Sequence, residues 1–590
     1  MEDITRKKIC KVFITLISVA AVCSLTIFIP QVRNLIIAFG EKLIGRSLTH
    51  EVWHGRLISY EKKFFGIFVL FLMYMTIHPI INAWKSINCP KKRIVDYVRI
   101  PKFFPFLAFA SLIYFVGIIA IIRANFFYID DLGRGVEGYR GWGNFSRYLS
   151  NFFSSIIHGG FYLTDISPLP QIIAVICCGL STIIIVAIFS ENRQLSFTKI
   201  VAAIPLGLSP YFLECLSYKY DAPYMALSVL VSIIPFLFLP AETTKFNKNE
   251  LKENIALYFP FLIASVFGIL SMCMLYQASS GIYLMVVVLF VLKYWNKTKP
   301  FIFFVLTSIF AYLFGLIMFK LFFMQPADDY VSNRLPSLLA LIPNTIKNFR
   351  EYFSHFRKDY KLLWLFLYCV IFVSFVLTNT LRSNQNKKIS LPLNFIFSIF
   401  IVFLSFGMYP FLSKPLFAPR AMYGIGILIA LLSAEVVNNS KHVFTKIAPL
   451  VLSYFFFAFA FTYGNALSEQ KRYTEFRIQL VIQDLNNIDS FANSEIKQVQ
   501  LNGDIGLSPV IKNQPQNYQI LNRLIPSTFG GNGWIWQQKY FYSYFSLKNV
   551  NPIYSWNEDV DLTTLNLPII KDSMYHTIKG DNENFLIELK

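Results

Sequence analysis

Apolar residues in this chain fall in long unbroken blocks rather than in the alternating or every-third-residue patterns of soluble elements. A helix needs roughly twenty apolar residues to cross the hydrocarbon of a bilayer. Thirteen blocks approach or reach that length: 12–29, 64–84, 106–122, 172–190, 200–216, 225–239, 255–275, 278–292, 301–323, 362–377, 391–408, 422–436 and 447–461. The pattern predicts a mainly α fold, a polytopic membrane helix bundle of about 13 transmembrane helices.

Polar positions between the blocks are not random. Lys and Arg collect in alternate connections: Arg6, Lys7, Lys8 and Lys11, then 85–102 with Lys91-Lys92-Arg93, 191–199, 245–252, 293–299, 382–388 and 441–446. With thirteen spans all seven share one side, and the positive-inside rule makes that side the cytoplasm. The first block follows Arg6-Lys7-Lys8 but lacks a small-x-small cleavage site, so it reads as an uncleaved first span. The N-terminus is then cytoplasmic, and Asp130-Asp131, 325–361, the turn 414–420 and everything after Thr462 face outward. In a bacterium this describes a multi-pass inner-membrane protein with its C-terminal part in the periplasm.

The pattern changes in the tail. Phe476, Ile478, Val481, Ile482 and Leu485 recur at helical spacing over 472–487, whereas 498–501, 575–578 and 585–589 alternate like strands. Gly580-Asp581-Asn582 between the last two is a hairpin signal. The expected organisation is a transmembrane domain over 1–463 and a small periplasmic α/β domain over 464–590.

Composition agrees: 55% of the 590 residues are hydrophobic and 15% charged, against about a quarter charged in soluble domains. A net charge of +20 would suit nucleic acid, but the cations punctuate the apolar blocks, so they set topology and meet anionic headgroups. No nucleic-acid partner is expected. All eight cysteines lie in or beside apolar blocks without zinc-ligand spacing, which excludes a disulfide scaffold.

The candidate chemistry lies at outward edges. Asp130-Asp131-Leu132-Gly133-Arg134 places two carboxylates just past an apolar block, where ionisable groups are costly unless they act or bind; a capped, solvated turn is the plainer reading. Gly138-Tyr139-Arg140-Gly141-Trp142 adds aromatic and cationic groups suited to a sugar. Asp165 precedes Ser167-Pro168-Leu169-Pro170, where Asp165 or Ser167 can cap the next helix. Tyr211, Glu214, Tyr218, Lys219, Tyr220 and Asp221 crowd the next outward turn. Glu214 sits in or at the end of an apolar span and calls for a partner, with a Glu–Lys pair as the structural alternative. Tyr276-Gln277 offers uncharged hydrogen-bonding groups. Cations on the outer side break the charge rule: Lys320, Arg334, Lys414 and Arg420. Arg420 follows Ala418-Pro419 at a helix start, where free backbone N–H groups and a guanidinium suit a phosphate; snorkelling to headgroups is the alternative for the lysines. Gly-rich phosphate loops, HExxH and a Ser-His-Asp set are absent from the sequence.

Together these motifs resemble the integral-membrane bacterial O-antigen glucosyltransferases, the serotype-converting enzymes often carried by prophages. The resemblance rests on 130–134, 138–142, 165–171, 209–214 and 217–221, with Tyr276-Gln277 and Pro419-Arg420 fitting more loosely. It covers roughly 100–440, and the two blocks before the acid pair shift helix numbering against the family. It implies a GT-C-type hexosyltransferase on the periplasmic face. The donor would be undecaprenyl-phosphate-glucose, supplied by a separate cytoplasmic synthase and a flippase; the acceptor would be a hydroxyl of the lipid-linked O-antigen repeat. Asp130 or Asp131 would be the general base. Arg134, Tyr139, Trp142, Asp165, Tyr211, Glu214, Tyr218, Lys219, Tyr220, Asp221 and Gln277 would line the substrate site, and Arg420, Arg334 or Lys414 would meet the lipid phosphate. No cofactor is implied, although the acids could hold a divalent cation. Two rival readings are the same chemistry on lipid A or protein, and a polysaccharide-lipid transporter or flippase. A transporter predicts matching halves with broken helices and charges at the midplane, whereas here the charges gather at outer ends.

Overall fold

The computed structural model describes residues 100–240, 251–324, 335–440, 442–493, 496–513, 517–530, 540–553 and 560–590. The expected spans 12–29 and 64–84, the two basic segments before residue 100, most of the basic loop 245–252, and Arg334 lie outside the described residues.

The fifteen helices that build the bundle are α1 Phe103–Ala124, α2 Asp130–Glu137, α3 Tyr148–Ile157, α4 Leu169–Phe189, α5 Phe197–Leu208, α6 Pro210–Ser217, α7 Ala222–Ile233, α8 Leu251–Leu275, α9 Ser280–Asn296, α10 Ile302–Phe322, α11 Leu338–Asp359, α12 Leu362–Arg382, α13 Lys387–Leu404, α14 Pro419–Asn439 and α15 Val443–Asn486. Among the described residues nine helices are long and apolar enough to cross a membrane, and ten if the bent pair α5 and α6 is one span. Two expected spans depart from a simple crossing. The block 200–216 breaks between Leu208 and Pro210 with a 63° bend, because Pro210 removes an N–H and disfavours helix at Ser209. The block 225–239 forms only the 12-residue α7, continued as a 3-10 turn from Ile234 to Phe238.

Buried share separates centre from rim. The α14 span is 94% buried and lies at the middle, whereas α13 is 22% buried and turns apolar side chains such as Ile396 and Phe400 outward, as lipid contact requires. The expected outer loop 325–361 is in fact largely the amphipathic α11. Its polar face braces the segment before α14: Asn344 Nδ2 donates to the Leu412 carbonyl at 3.0 Å, Asn348 Nδ2 to that of Pro410 at 2.9 Å and Tyr352 to that of Leu416 at 2.9 Å.

The described basic connections, those around 191–199, 293–299, 382–388 and 441–446, gather at one end of the bundle. Lys293 Nζ donates to the carbonyls of Ile188 and Phe189 at 3.3 and 3.1 Å, Asn438 Nδ2 to that of Phe189 at 3.0 Å, and the Asn384 N–H to that of Asn296 at 2.7 Å. The C-terminus of α1, α2, the starts of α4, α7, α9 and α14, and the end of α6 meet at the other end. Among the described residues, the basic connections and the cluster of acidic and aromatic residues are thus separated by the length of the helices.

Helix α15 runs 44 residues without interruption, from the bundle into the tail. It crosses α1 so closely that a Cβ at Gly464 would lie 2.5 Å from the Ala120 carbonyl carbon, which only glycine permits. Beyond it stands a five-stranded mixed sheet of order β2-β1-β5-β4-β3, with β1 Lys497–Asn502, β2 Val550–Ile553, β3 Ile569–Asp572, β4 His576–Gly580 and β5 Asn584–Leu589. The three expected strands are β1, β4 and β5, and β4–β5 is the expected antiparallel hairpin. The two strands absent from the sequence reading are the edges: β2 carries Pro552, tolerated only where a ladder donor is not needed, and β3 is wholly exposed, so neither alternates. Arg477 of α15 ties the sheet down through the carbonyls of Tyr575 at 2.5 Å and Lys590 at 2.8 Å.

Candidate functional site

The chain leaves α1 through Ile129, whose φ of +43° is strained for a β-branched residue. That turn starts α2 at Asp130 and seats Leu132 in the core of the tail, beside Ile478 and Phe585. The acid pair is therefore wedged between bundle and tail, and its two carboxylates have different surroundings. Asp131 is fully buried, and its Oδ2 accepts the backbone N–H groups of Tyr128 at 3.0 Å and Lys219 at 2.9 Å. Burial pushes its carboxyl well above the ordinary carboxylate range, opposed by those two donors. Asp130 is half-buried, and no described residue hydrogen-bonds its carboxylate. Burial raises it as well, countered chiefly by Arg134 and, more weakly, by Arg420 and Arg147.

The next residues assemble around one ion pair. Arg134 Nε lies 3.2 Å from Asp221 Oδ2, both side chains being almost fully buried. The Trp142 indole N–H donates to Asp221 Oδ1, and the Arg134 guanidinium sits 4.0 Å over the Trp142 ring and 5.5 Å from Tyr139, a cation–π arrangement. Residues separated by up to 87 positions, on α2, the following loop and the α6–α7 turn, form one unit.

Lys219 and Glu214 take different partners from those expected. Lys219 Nζ pairs with Asp165 Oδ2 at 2.7 Å and lies 4.1 Å over Phe127, so the Glu214–Lys219 pair does not form. Asp165 does not cap α4 either: that helix has no side-chain cap, and Asp165 Oδ1 accepts only the Ser167 N–H at 3.0 Å. Glu214 is claimed instead by Arg420, through the guanidinium at 2.7 Å and the backbone N–H at 2.5 Å. The Arg420 N–H is thus not free for a phosphate, because the nearest carboxylate on α6 reaches it first.

The other expected residues spread over this end. Tyr218 packs edge-on against Tyr128 at 4.9 Å. Tyr220 stacks on His158 at 5.7 Å, with its buried hydroxyl unpaired among the described residues. Tyr211 points away to Asp359 Oδ2, 2.7 Å from its hydroxyl. Gln277 Nε2 donates to the Phe145 carbonyl at 3.0 Å. Lys414 is exposed, outside this cluster.

Arg147 was not among the expected residues. Its Nε donates to Gln277 Oε1 at 3.2 Å and its guanidinium lies 4.5 Å over Tyr276, whose hydroxyl donates to the Arg420 carbonyl at 3.2 Å. A cation in a loop expected to face outward was the signal, the same exception that picked out Arg420. The positive charges of Arg134, Arg420 and Arg147 oppose the effect of burial on Asp130, while Asp221 adds to it; Arg134 and Arg420 already have carboxylate partners in Asp221 and Glu214. Such a site can take up a proton at Asp130 while holding an anionic group nearby. Among the described residues no three His, Cys, Asp or Glu side chains group as metal ligands.

Comparison with known proteins places this end of the bundle in context. The family Glucosyl transferase GtrII matches residues 119–431, which include Asp130, Arg147, Asp221 and Arg420. A protein of Salmonella phage P22, described as an uncharacterized 55.3 kDa protein in the gtrB 5' region, is 24% identical over 443 residues, spanning 70% of this chain and 84% of its own. No solved structure matches the chain.

Proposed function

The chain belongs to the Glucosyl transferase GtrII family, and on that premise we propose that it moves glucose from undecaprenyl-phosphate-glucose to a hydroxyl of the lipid-linked O-antigen repeat, on the periplasmic face of the bacterial inner membrane. Membership makes it a glucosyltransferase, and its apolar helices make it a membrane protein; donor, acceptor and side are the proposal. The observation that carries it is the acid pair Asp130-Asp131 at the end of the bundle where Arg134 pairs with Asp221 and Arg420 with Glu214, with Asp130 free of any described hydrogen-bond donor.

Asp130 is the general base. It takes the acceptor hydroxyl proton as the oxygen attacks the anomeric carbon, and the bond from that carbon to the phosphate oxygen breaks, leaving undecaprenyl phosphate. Arg420, held by Glu214, meets the charge that grows on the departing phosphate. Asp131 shapes the turn that aims Asp130, and the Arg134–Asp221–Trp142 unit fixes the wall beside it. A site on the outer face needs a lipid-borne donor, since nucleotide sugars remain in the cytoplasm; a cytoplasmic synthase and a flippase would then supply the donor.

The test uses purified protein in proteoliposomes with radiolabelled undecaprenyl-phosphate-glucose and lipid-linked O-antigen. Transfer by the wild type, lost on Asp130→Asn, is expected. Labelled donor crossing the bilayer without transfer would instead support the transporter reading.

A further inference from the structure

A short helix in the C-terminal part of the chain, Leu521–Leu524, reaches the segment that carries Arg420. Arg523 on it pairs through Nη1 with Asp359 Oδ2, the oxygen that also accepts the Tyr211 hydroxyl at 2.7 Å. Its Nη2 donates to the Phe417 carbonyl and lies 3.9 Å from Met422 Sδ. Phe417 and Met422 flank Arg420, and Tyr211 stands one turn before Glu214 on α6. The contacts close a ring: Arg523 to Asp359, Asp359 to Tyr211, along α6 to Glu214, Glu214 to Arg420, and back along the chain to Phe417 and Arg523. The neighbouring Leu524 carbonyl accepts the Tyr128 hydroxyl at 2.7 Å and that of Tyr463 at 3.3 Å, and Tyr128 precedes Asp130 by two residues. One tail turn therefore touches both the segment carrying the acid and the segment carrying the arginine.

We propose that Arg523 is a positioning residue that sets where Arg420 stands relative to Asp130, so that the tail is a working part of the transfer site. Asp359 is almost fully buried and would be left uncompensated without Arg523, a strong reason for the contact to persist. The inference rests on the reading that Arg420 meets the donor phosphate.

The test compares Arg523→Gln and Asp359→Asn, alone and combined, in the full-length protein with undecaprenyl-phosphate-glucose and lipid-linked acceptor. Losing the grip of one charged hydrogen bond on the phosphate is expected to raise the donor KM roughly ten- to a hundredfold, with the acceptor KM unchanged. The double variant is expected to be no worse than the poorer single one, because both break the same ring. Unchanged donor KM, equal loss for both substrates, or additive effects would overturn the inference. Should Arg523→Gln not accumulate, Arg523→Lys carries the test: a donor-specific KM increase supports the role and wild-type kinetics refute it. Amide exchange over 414–423 is read in parallel, expected to quicken in the variants while 130–137 stays unchanged. If the wild type transfers nothing from this donor, the proposed function fails, and amide exchange still decides the positioning.

Discussion

Two adjacent aspartates should behave in opposite ways when each is replaced, and the magnitudes follow from their surroundings. Asp131→Ala removes the acceptor of two buried N–H groups, those of Tyr128 and Lys219. An orphaned buried donor costs about 1–3 kcal/mol, so the variant should lose about 2–6 kcal/mol of stability. Asp131→Asn should cost less, about 1–2 kcal/mol, because the amide oxygen can keep both donors while its NH2 takes the place of Oδ1, which has no partner among the described residues. Asp130→Asn breaks no described hydrogen bond and should change stability by under about 0.5 kcal/mol. Its rate should nonetheless fall roughly 10²–10⁴-fold, the usual contribution of a general base, or about 3–5 kcal/mol of barrier. The assays are thermal unfolding in detergent and glucose transfer on the same preparations. A fully stable Asp131→Ala that is inactive, or a fully active Asp130→Asn, would refute this division of roles.

Three further outcomes follow. Because burial raises Asp130, and a base works only when deprotonated, the acid limb of kcat/KM should lie above the ordinary carboxylate range, with activity lost as pH falls through it; Asp130→Asn should remove that limb from the residual rate. Trp142→Phe deletes the indole N–H to buried Asp221 and weakens the stack under Arg134; it should destabilise by about 1–3 kcal/mol, measurable by thermal unfolding. Reporter fusions should place residue 131 and the C-terminus on the same side of the membrane and residue 296 on the other, and any other result contradicts the orientation.

Much of this protein was legible in its sequence because a bilayer imposes length and polarity on every crossing segment. The apolar blocks from 106 to 461 correspond to helices in the described chain, although 200–216 breaks at Pro210 and 225–239 is short, and the basic connections that are described do share one end of the bundle. The strands β1, β4 and β5 were legible because their alternate residues bury against α15, whereas the edges β2 and β3 bury too little to leave a pattern. What the sequence could not supply was pairing. Glu214 is five residues from Lys219 yet takes Arg420, 206 residues away, and Lys219 takes Asp165. Asp130 and Asp131 are neighbours of identical chemistry, but only the path of the chain through Ile129 buries one on backbone donors and leaves the other without them. Arg147, Asp359 and Arg523 gain their meaning from contacts across 130 residues and more. Hydrophobic length is a local property that each segment carries alone, while a charge in low dielectric is defined by whichever partner the packed fold brings within hydrogen-bonding reach.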